Sequence, residues 1–334
     1  MTVSFLLRTD TPWAPAGYET AFGQGVWKVE KKHCCRRLHR ELFFMNSPWN
    51  ITVRGDGFSV QFSRLTGALM SYRAGDTEYL KAPLLPNFWR APTNNDYGNR
   101  MPQRYAQWKI ASEYCMAGFT PETGKKNAAV RPEKEADGSV SFIMTYDLPT
   151  APAAACSVTY RVRPCGRVDV SLVYDPVKEL GDMPEFGMIT RLSADFDRVR
   201  FFGLGPLENY TDRREGARLG VWNYRAAENF TPYLLPQECG NRTGVRWAEI
   251  TNAKGQGLKI WLNGGEFSAL PWTPHEIENA AHGYELPPVN WTVLKMSRQQ
   301  MGIAGDDSWG ARTHPEYLLD VSEPLVFEFS FKYI

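Results

Sequence analysis

The chain has 334 residues, 43% of them hydrophobic, and a formal charge of +1 from 38 Lys+Arg against 37 Asp+Glu. Its length exceeds the size at which single cores usually stop growing, so one large domain plus a fragment, or two domains, is expected. The near-zero charge argues against nucleic acid or an anionic membrane as partner, and no apolar run approaches the roughly 18–20 residues that span a bilayer.

Taken in order, the chain opens on strand-like sequence, Val3-Ser-Phe-Leu-Leu-Arg8, then a turn at Pro15-Ala-Gly17 and a second strand-like stretch, Val26-Trp-Lys-Val29. Opening directly on a strand reads as the continuation of an earlier domain. The basic run Lys31-Lys-His-Cys-Cys-Arg-Arg-Leu-His-Arg40 has no interleaved aromatic residues and reads as a solvated linker. From residue 51 the apolar residues alternate with period two, the mark of half-buried strands. Ile51-Thr-Val53 and Phe58-Ser-Val-Gln-Phe62 flank Gly55-Asp-Gly57, a hairpin signal. Val158, Tyr160 and Val162 alternate before Pro164-Cys-Gly166, and Val168, Val170, Leu172 and Tyr174 after it. Leu325, Phe327, Phe329, Phe331 and Tyr333 share one face at the C-terminus. With 28 glycines and 23 prolines to turn them, such strands predict an all-β fold, a large antiparallel β-sandwich. Two short helices are expected within it. One covers Arg104–Tyr114, with Tyr105, Trp108 and Ser112 on one side. The other runs from Pro274 to about Ala281 behind the capping box Thr273-Pro-His-Glu276.

The six cysteines, Cys34, Cys35, Cys115, Cys156, Cys165 and Cys239, include no C-x-x-C pair and read as reduced thiols. N-x-Thr sequons at Asn50, Asn209, Asn229, Asn241 and Asn290 would matter only on a eukaryotic secretory route. Five scattered histidines give no metal constellation.

The stretch Met301-Gly-Ile-Ala-Gly-Asp-Asp-Ser-Trp-Gly310 places an indole among short polar residues with few apolar neighbours. A flat ring so flanked suits the apolar C–H face of a sugar, while burial in the core is the alternative common to most tryptophans. Adjacent Asp306 and Asp307 read as turn formers that, with Ser308, hold the loop in shape rather than as a catalytic carboxylate pair. Asn94, Asn95, Asp96 and Gly98 read either as a structural turn locking Trp89 and Arg90 or as a mobile loop hinged at the glycine. Glu208, Asp212 and Gln237-Glu238 read as loop groups tethering Arg213 or Arg242. The alternative is acid–base work by Glu238 with His275 or His282.

Four stretches occur in order: Asn87-Phe-Trp-Arg-Ala-Pro-Thr-Asn-Asn-Asp-Tyr-Gly98, Gly203-Leu-Gly-Pro-Leu-Glu-Asn-Tyr-Thr-Asp-Arg213, Tyr233-Leu-Leu-Pro-Gln-Glu-Cys-Gly-Asn-Arg242 and the Trp309 loop. Together they resemble the C-terminal domain of the large bacterial β-galactosidases of glycoside hydrolase family 2, in some members a separate small subunit. The resemblance implies a two-sheet supersandwich similar to galactose mutarotase over residues 50–334, a linker over 31–49, and tail strands of an immunoglobulin-like domain over 1–30. It implies that Trp309 stacks on the substrate sugar and that the segment after Gly98 is mobile. The family's usual aspartate is replaced by Asn94, so any role of that charge is in doubt. The family's catalytic glutamate lies in an Asn-Glu dipeptide on a (β/α)8 barrel. This chain has neither the dipeptide nor the strand–helix alternation of a barrel.

The expectation is therefore a non-catalytic part that completes the substrate pocket of a retaining β-galactosidase. Its partners would be the remainder of the enzyme, in the same chain or a large subunit, and a β-galactoside; the complete enzyme would be an oligomer in a bacterial cytoplasm. No cofactor is expected in this chain, since the family's Mg and Na sites would lie on the barrel. A free-standing aldose epimerase and a carbohydrate-binding module are the other readings. The epimerase would interconvert galactose anomers alone, and the module would bind sugar without a partner.

Overall fold

The computed structural model describes residues 1–27, 41–115 and 127–334. The basic run and the Cys34-Cys35 pair lie outside them. By its contacts the chain divides into Met1–Arg37 and Leu38–Ile334. In the first unit Thr2–Leu6 pairs with Glu19–Gln24 in an antiparallel hairpin. The second strand thus lies ahead of the expected Val26–Val29, and of that stretch Val26 and Trp27 are described and take no strand conformation. With only two strands there is no core for Phe5 and Trp13, which stay exposed.

The larger unit is an antiparallel all-β sandwich. Phe43–Asn46, Asn50–Gly55, Phe58–Ser63 and Leu69–Ala74 form a meander. It joins Ala82–Asn87 at Leu69↔Leu84. From Ala82–Asn87 the sheet continues through Glu185–Ser193, Trp291–Gln300, Gly257–Leu270 and Arg242–Thr251 to Arg198–Gly205 and Arg218–Arg225. The long strand Gly257–Leu270 changes neighbour midway. Its first residues pair with Leu325–Tyr333, which leads on to Val168–Tyr174, Ala154–Val162 and Val140–Leu148. The break falls at Asn263 (φ 52°) and Gly264 (φ 99°), where left-handed backbone turns the strand from one sheet towards the other.

Period-two alternation puts Val158, Tyr160, Val162, Phe327, Phe329 and Phe331 in one continuous core with Ile51, Val53, Phe62 and Trp89. Both expected hairpins are present, turned at Gly57 (φ 76°) and Gly166 (φ 84°). Three expectations need correction. The span read as linker contains the strand Phe43–Asn46, because Phe44 faces Val53 across the ladder. The helix expected over Arg104–Tyr114 is two helices, Met101–Arg104 and Ala106–Tyr114, interrupted at Tyr105 (φ −118°), whose ring is drawn into the core. The helix behind Thr273 ends at Asn279, short of Ala281, with its capping box formed. Cys115, Cys156, Cys165 and Cys239 are free thiols. Among the described residues no helix is long and apolar enough to cross a membrane.

Strand register and long-range hydrogen bonds bring four loops together. Glu185 pairs with Gln300 and Gly187 with Asn87, so the chain leaves Asn87 and Gln300 in the same direction. Arg242 pairs with Phe267 and Phe267 with Met296, which sets the start of the Arg242 strand level with the last residues of the strand that ends at Gln300. Phe202 pairs with Trp247, so Gly205 ends its strand close to the start of the Arg242 strand, and Asp212 in the following loop accepts from the Ala304 N–H.

Candidate functional site

The first of these loops begins as a helical turn. Thr93 caps Asn94–Gly98: its hydroxyl accepts from the Asp96 N–H, and the Asp96 carboxylate accepts from the Thr93 N–H at 2.8 Å. The residues expected as a turn or loop are therefore a capped turn of α-helix, because Thr93-x-x-Asp96 satisfies two orphan amides reciprocally. Asp96 also forms a fully buried ion pair with Arg90 at 2.5 Å. The same guanidinium reaches the Gly302 carbonyl at 3.2 Å, so one buried cation binds the first loop to the last.

The last loop, Met301–His314, is held by its backbone. Gly302 N–H donates to Tyr317 and the Thr313 hydroxyl to Gly302. Thr93 Oγ1 and Asn95 Nδ2 donate to the Ile303 carbonyl. Ala304 N–H donates to Asp212 Oδ2 at 2.9 Å, across 92 residues of sequence. Gly302 is needed there, because a Cβ would stand 2.7 Å from the Asp212 carboxylate. Gly98 abuts the same loop, where a Cβ would stand 2.4 Å from the Ser308 carbonyl oxygen. At the tip Asp307 Oδ1 accepts from Trp309 N–H (2.8 Å), Gly310 N–H (3.0 Å) and Ala311 N–H (3.1 Å). Those three donors lower the Asp307 pKa. Asp306 takes a separate partner, His314 Nε2 at 3.0 Å, and this hydrogen bond raises the His314 pKa. The two aspartates thus take different partners. Trp309 is 86% exposed.

The remaining loops interlock through Glu208. Its carboxylate accepts from Arg213 (2.7 Å), the Tyr233 hydroxyl (2.7 Å) and the Gly240 N–H (2.6 Å). Gln237 accepts from the Asn94 N–H, which links this group back to the helical turn. Among the described residues Asp212 tethers no arginine, contrary to expectation; one oxygen holds Ala304 and the other is buried with no hydrogen-bond partner among them. Arg242 is held by the Pro206 and Asn241 carbonyls and lies over Tyr224 and Phe201.

Beneath the loops is a buried ionic network, of which only Glu238 stands out in the sequence. Lys295 Nζ lies 3.0 Å from Glu185 and 2.9 Å from Glu238. Burial disfavours the ammonium, but the two carboxylates outweigh it and raise the Lys295 pKa. Gln300 Nε2 donates to Glu238. Glu266 accepts from Asn241 Nδ2 and Gln300 N–H, and burial pushes its pKa up to about 8. Glu238 therefore works with a lysine and an amide. His275 instead lies 3.1 Å from Glu113, and His282 3.3 Å from Glu285. The acid–base pair required by the epimerase reading is not assembled. The overlooked signal was charge inside unbroken hydrophobic strands, as at Val293-Leu-Lys-Met296, where no alternation offers the charge a solvent face.

Residues 54–332 match the family described as beta galactosidase small chain. The chain is 37% identical to a β-galactosidase of Priestia megaterium over 335 residues, covering 99% of this chain and 31% of that protein. It is 30% identical to the β-galactosidase small subunit of Latilactobacillus sakei, covering 84% of this chain and 94% of that subunit. The chain thus spans about a third of the longer relatives. Among solved structures, galactose 1-epimerase from Lactobacillus acidophilus superposes with a TM-score of 0.51 at 10% identity, covering 88% of this chain and 99% of that one, a likeness of fold alone.

Proposed function

This chain belongs to the β-galactosidase small-chain family, and from that premise we propose that it completes the sugar pocket of a β-galactosidase by presenting Trp309. The carboxylates that cleave the glycosidic bond would be supplied by a part outside this chain, in the retaining double displacement. The observation that carries the reading is the contrast between the Trp309 ring, 86% exposed, and its backbone, bonded to Asp307 and set against the Gly98 turn in a loop that Asp212 holds at Ala304. A fixed, solvent-facing indole stacks on a sugar without a large ordering cost. The burial of Glu185, Glu238 and Glu266 in the network around Lys295 supports this division, because such paired interior carboxylates suit a structural role.

Under this reading the segment after Gly98 moves against the Trp309 loop as substrate enters, with Asn94, Asn95, Asp96 and Gly98 as its base. The test is hydrolysis of a chromogenic β-galactoside by the chain alone and by the chain mixed with the barrel-containing remainder of a β-galactosidase. Activity confined to the mixture is expected. There Trp309→Ala should raise KM by about 5–30-fold, equivalent to about 1–2 kcal/mol of stacking. Hydrolysis by the chain alone, or an unchanged KM, overturns the reading.

A further inference from the structure

Leu207 is 77% exposed and Leu234 96% exposed. Single exposed leucines are ordinary on a protein surface, but these two sit on loops fixed to one another and to the Trp309 loop. Leu207 precedes Glu208, and Leu234 follows Tyr233, whose hydroxyl donates to that same Glu208 carboxylate. The Asp212 tether to Ala304 and the bond from the Asn94 N–H to Gln237 then join both loops to the Trp309 end. A cleft of about 460 Å³ opens beside Leu207, walled by Pro206, Glu208, Arg213 and Ala217. Apolar projections held rigid, a cleft beside them and a charged Glu208–Arg213 rim have the anatomy of an interface core with its polar border.

We propose that Leu207 and Leu234 are the side chains that seat this domain on the catalytic remainder of a β-galactosidase, and that the cleft beside Leu207 receives an apolar side chain from it. This rests on the function proposed above and adds a division of labour to it: the leucines supply affinity for the partner, and Trp309 acts on the sugar. The occupant follows from lengths. This chain is about a third of its longer relatives, while the Latilactobacillus sakei relative matched over 94% of its length is named as a subunit. Where the two parts are separate polypeptides, a surface must hold them together. The loops that carry the leucines are tied to the Trp309 loop through Asp212 and to the Gly98 turn beneath it through Gln237, so seating them would bring Trp309 to the partner's surface.

The test mixes the purified chain with the portion of the Priestia megaterium β-galactosidase outside the aligned 31%. Complex formation is read by sedimentation and function by β-galactoside hydrolysis. Leu207→Asp/Leu234→Asp should weaken assembly by about 100-fold or more, as loss of hot-spot side chains does. Leu207→Ser/Leu234→Ser should weaken it less, and both should melt like the wild type. Trp309→Ala should assemble normally and raise KM. Wild-type assembly unaffected by the leucine changes overturns the inference and leaves the proposed function standing. Self-association of the wild-type chain, abolished by the leucine changes, assigns the face to a second copy and also overturns the inference. Failure of the wild-type chain to assemble or restore hydrolysis overturns both.

Discussion

The segment Asn87–Asn99 and the loop Met301–His314 are both rich in short polar residues around a single tryptophan, yet they dispose of the ring in opposite ways. Trp89 is fully buried, its Nε1 donating to Glu278 at 3.0 Å, beside a Phe88 that packs on Trp108 and Phe186. Trp309 is almost wholly exposed. In the first segment Asp96 turns inward, to Arg90 and to the helix cap, and Phe88 and Trp89 lie in the core. In the second, Asp307 turns back on its own amides at the surface. Ser308 and Gly310 flank the ring and offer no apolar surface to draw it down. A tryptophan's fate is thus set by where its polar neighbours find partners, since a buried polar group must be paired before the chain beside it can be buried.

The most severe way to break the contrast is Arg90→Ala. It strands the Asp96 carboxylate in the interior and removes the bond to Gly302, and should cost about 3–5 kcal/mol in urea unfolding. A loss below about 1 kcal/mol would mean that water reaches Asp96 and that the pair does not hold the first segment in place. Gly98→Ala attacks the contact between the two segments. Its Cβ would overlap the Ser308 carbonyl, so a loss of about 1–3 kcal/mol is expected, with a change in Trp309 emission as the loop shifts. An unchanged spectrum would show the loops to be independent.

The ionic network beneath both segments gives a pH dependence. Glu266 holds its proton up to about pH 8 when folded, against an ordinary carboxyl value near 4.5. Between those values the folded state binds the extra proton. Its contribution is therefore fully present below about pH 4.5 and is lost as pH rises towards 8. Glu266→Gln, which stays neutral, should flatten that fall in denaturation profiles; an equal slope in the variant would place the dependence elsewhere. Smallest in its effect on stability is Asp307→Ala, at an exposed loop tip. It should leave the melting temperature unchanged but speed hydrogen exchange at the amides of Trp309, Gly310 and Ala311. Unaltered exchange would mean that the other tethers of the loop, from Asp212, Thr93 and the Gly98 turn, suffice to hold its tip.

Much of the architecture was legible because it is local. Period-two alternation at Val158–Val162 and Leu325–Tyr333, and glycines at the hairpin turns, report which face of a strand is buried whatever lies across it. The capping box of Thr273 could be read for the same reason, and that of Thr93 could have been, since Thr-x-x-Asp is complete within four residues. The sequence by itself thus determined an all-β sandwich and the motifs of its family. Only the tertiary structure decided that Asp212 holds Ala304, that Gly98 lies on Ser308 and that Lys295 sits between Glu185 and Glu238. Those partners are separated by tens to hundreds of residues. The register of intervening strands brings them together, and a side chain's own neighbours in sequence carry no record of it.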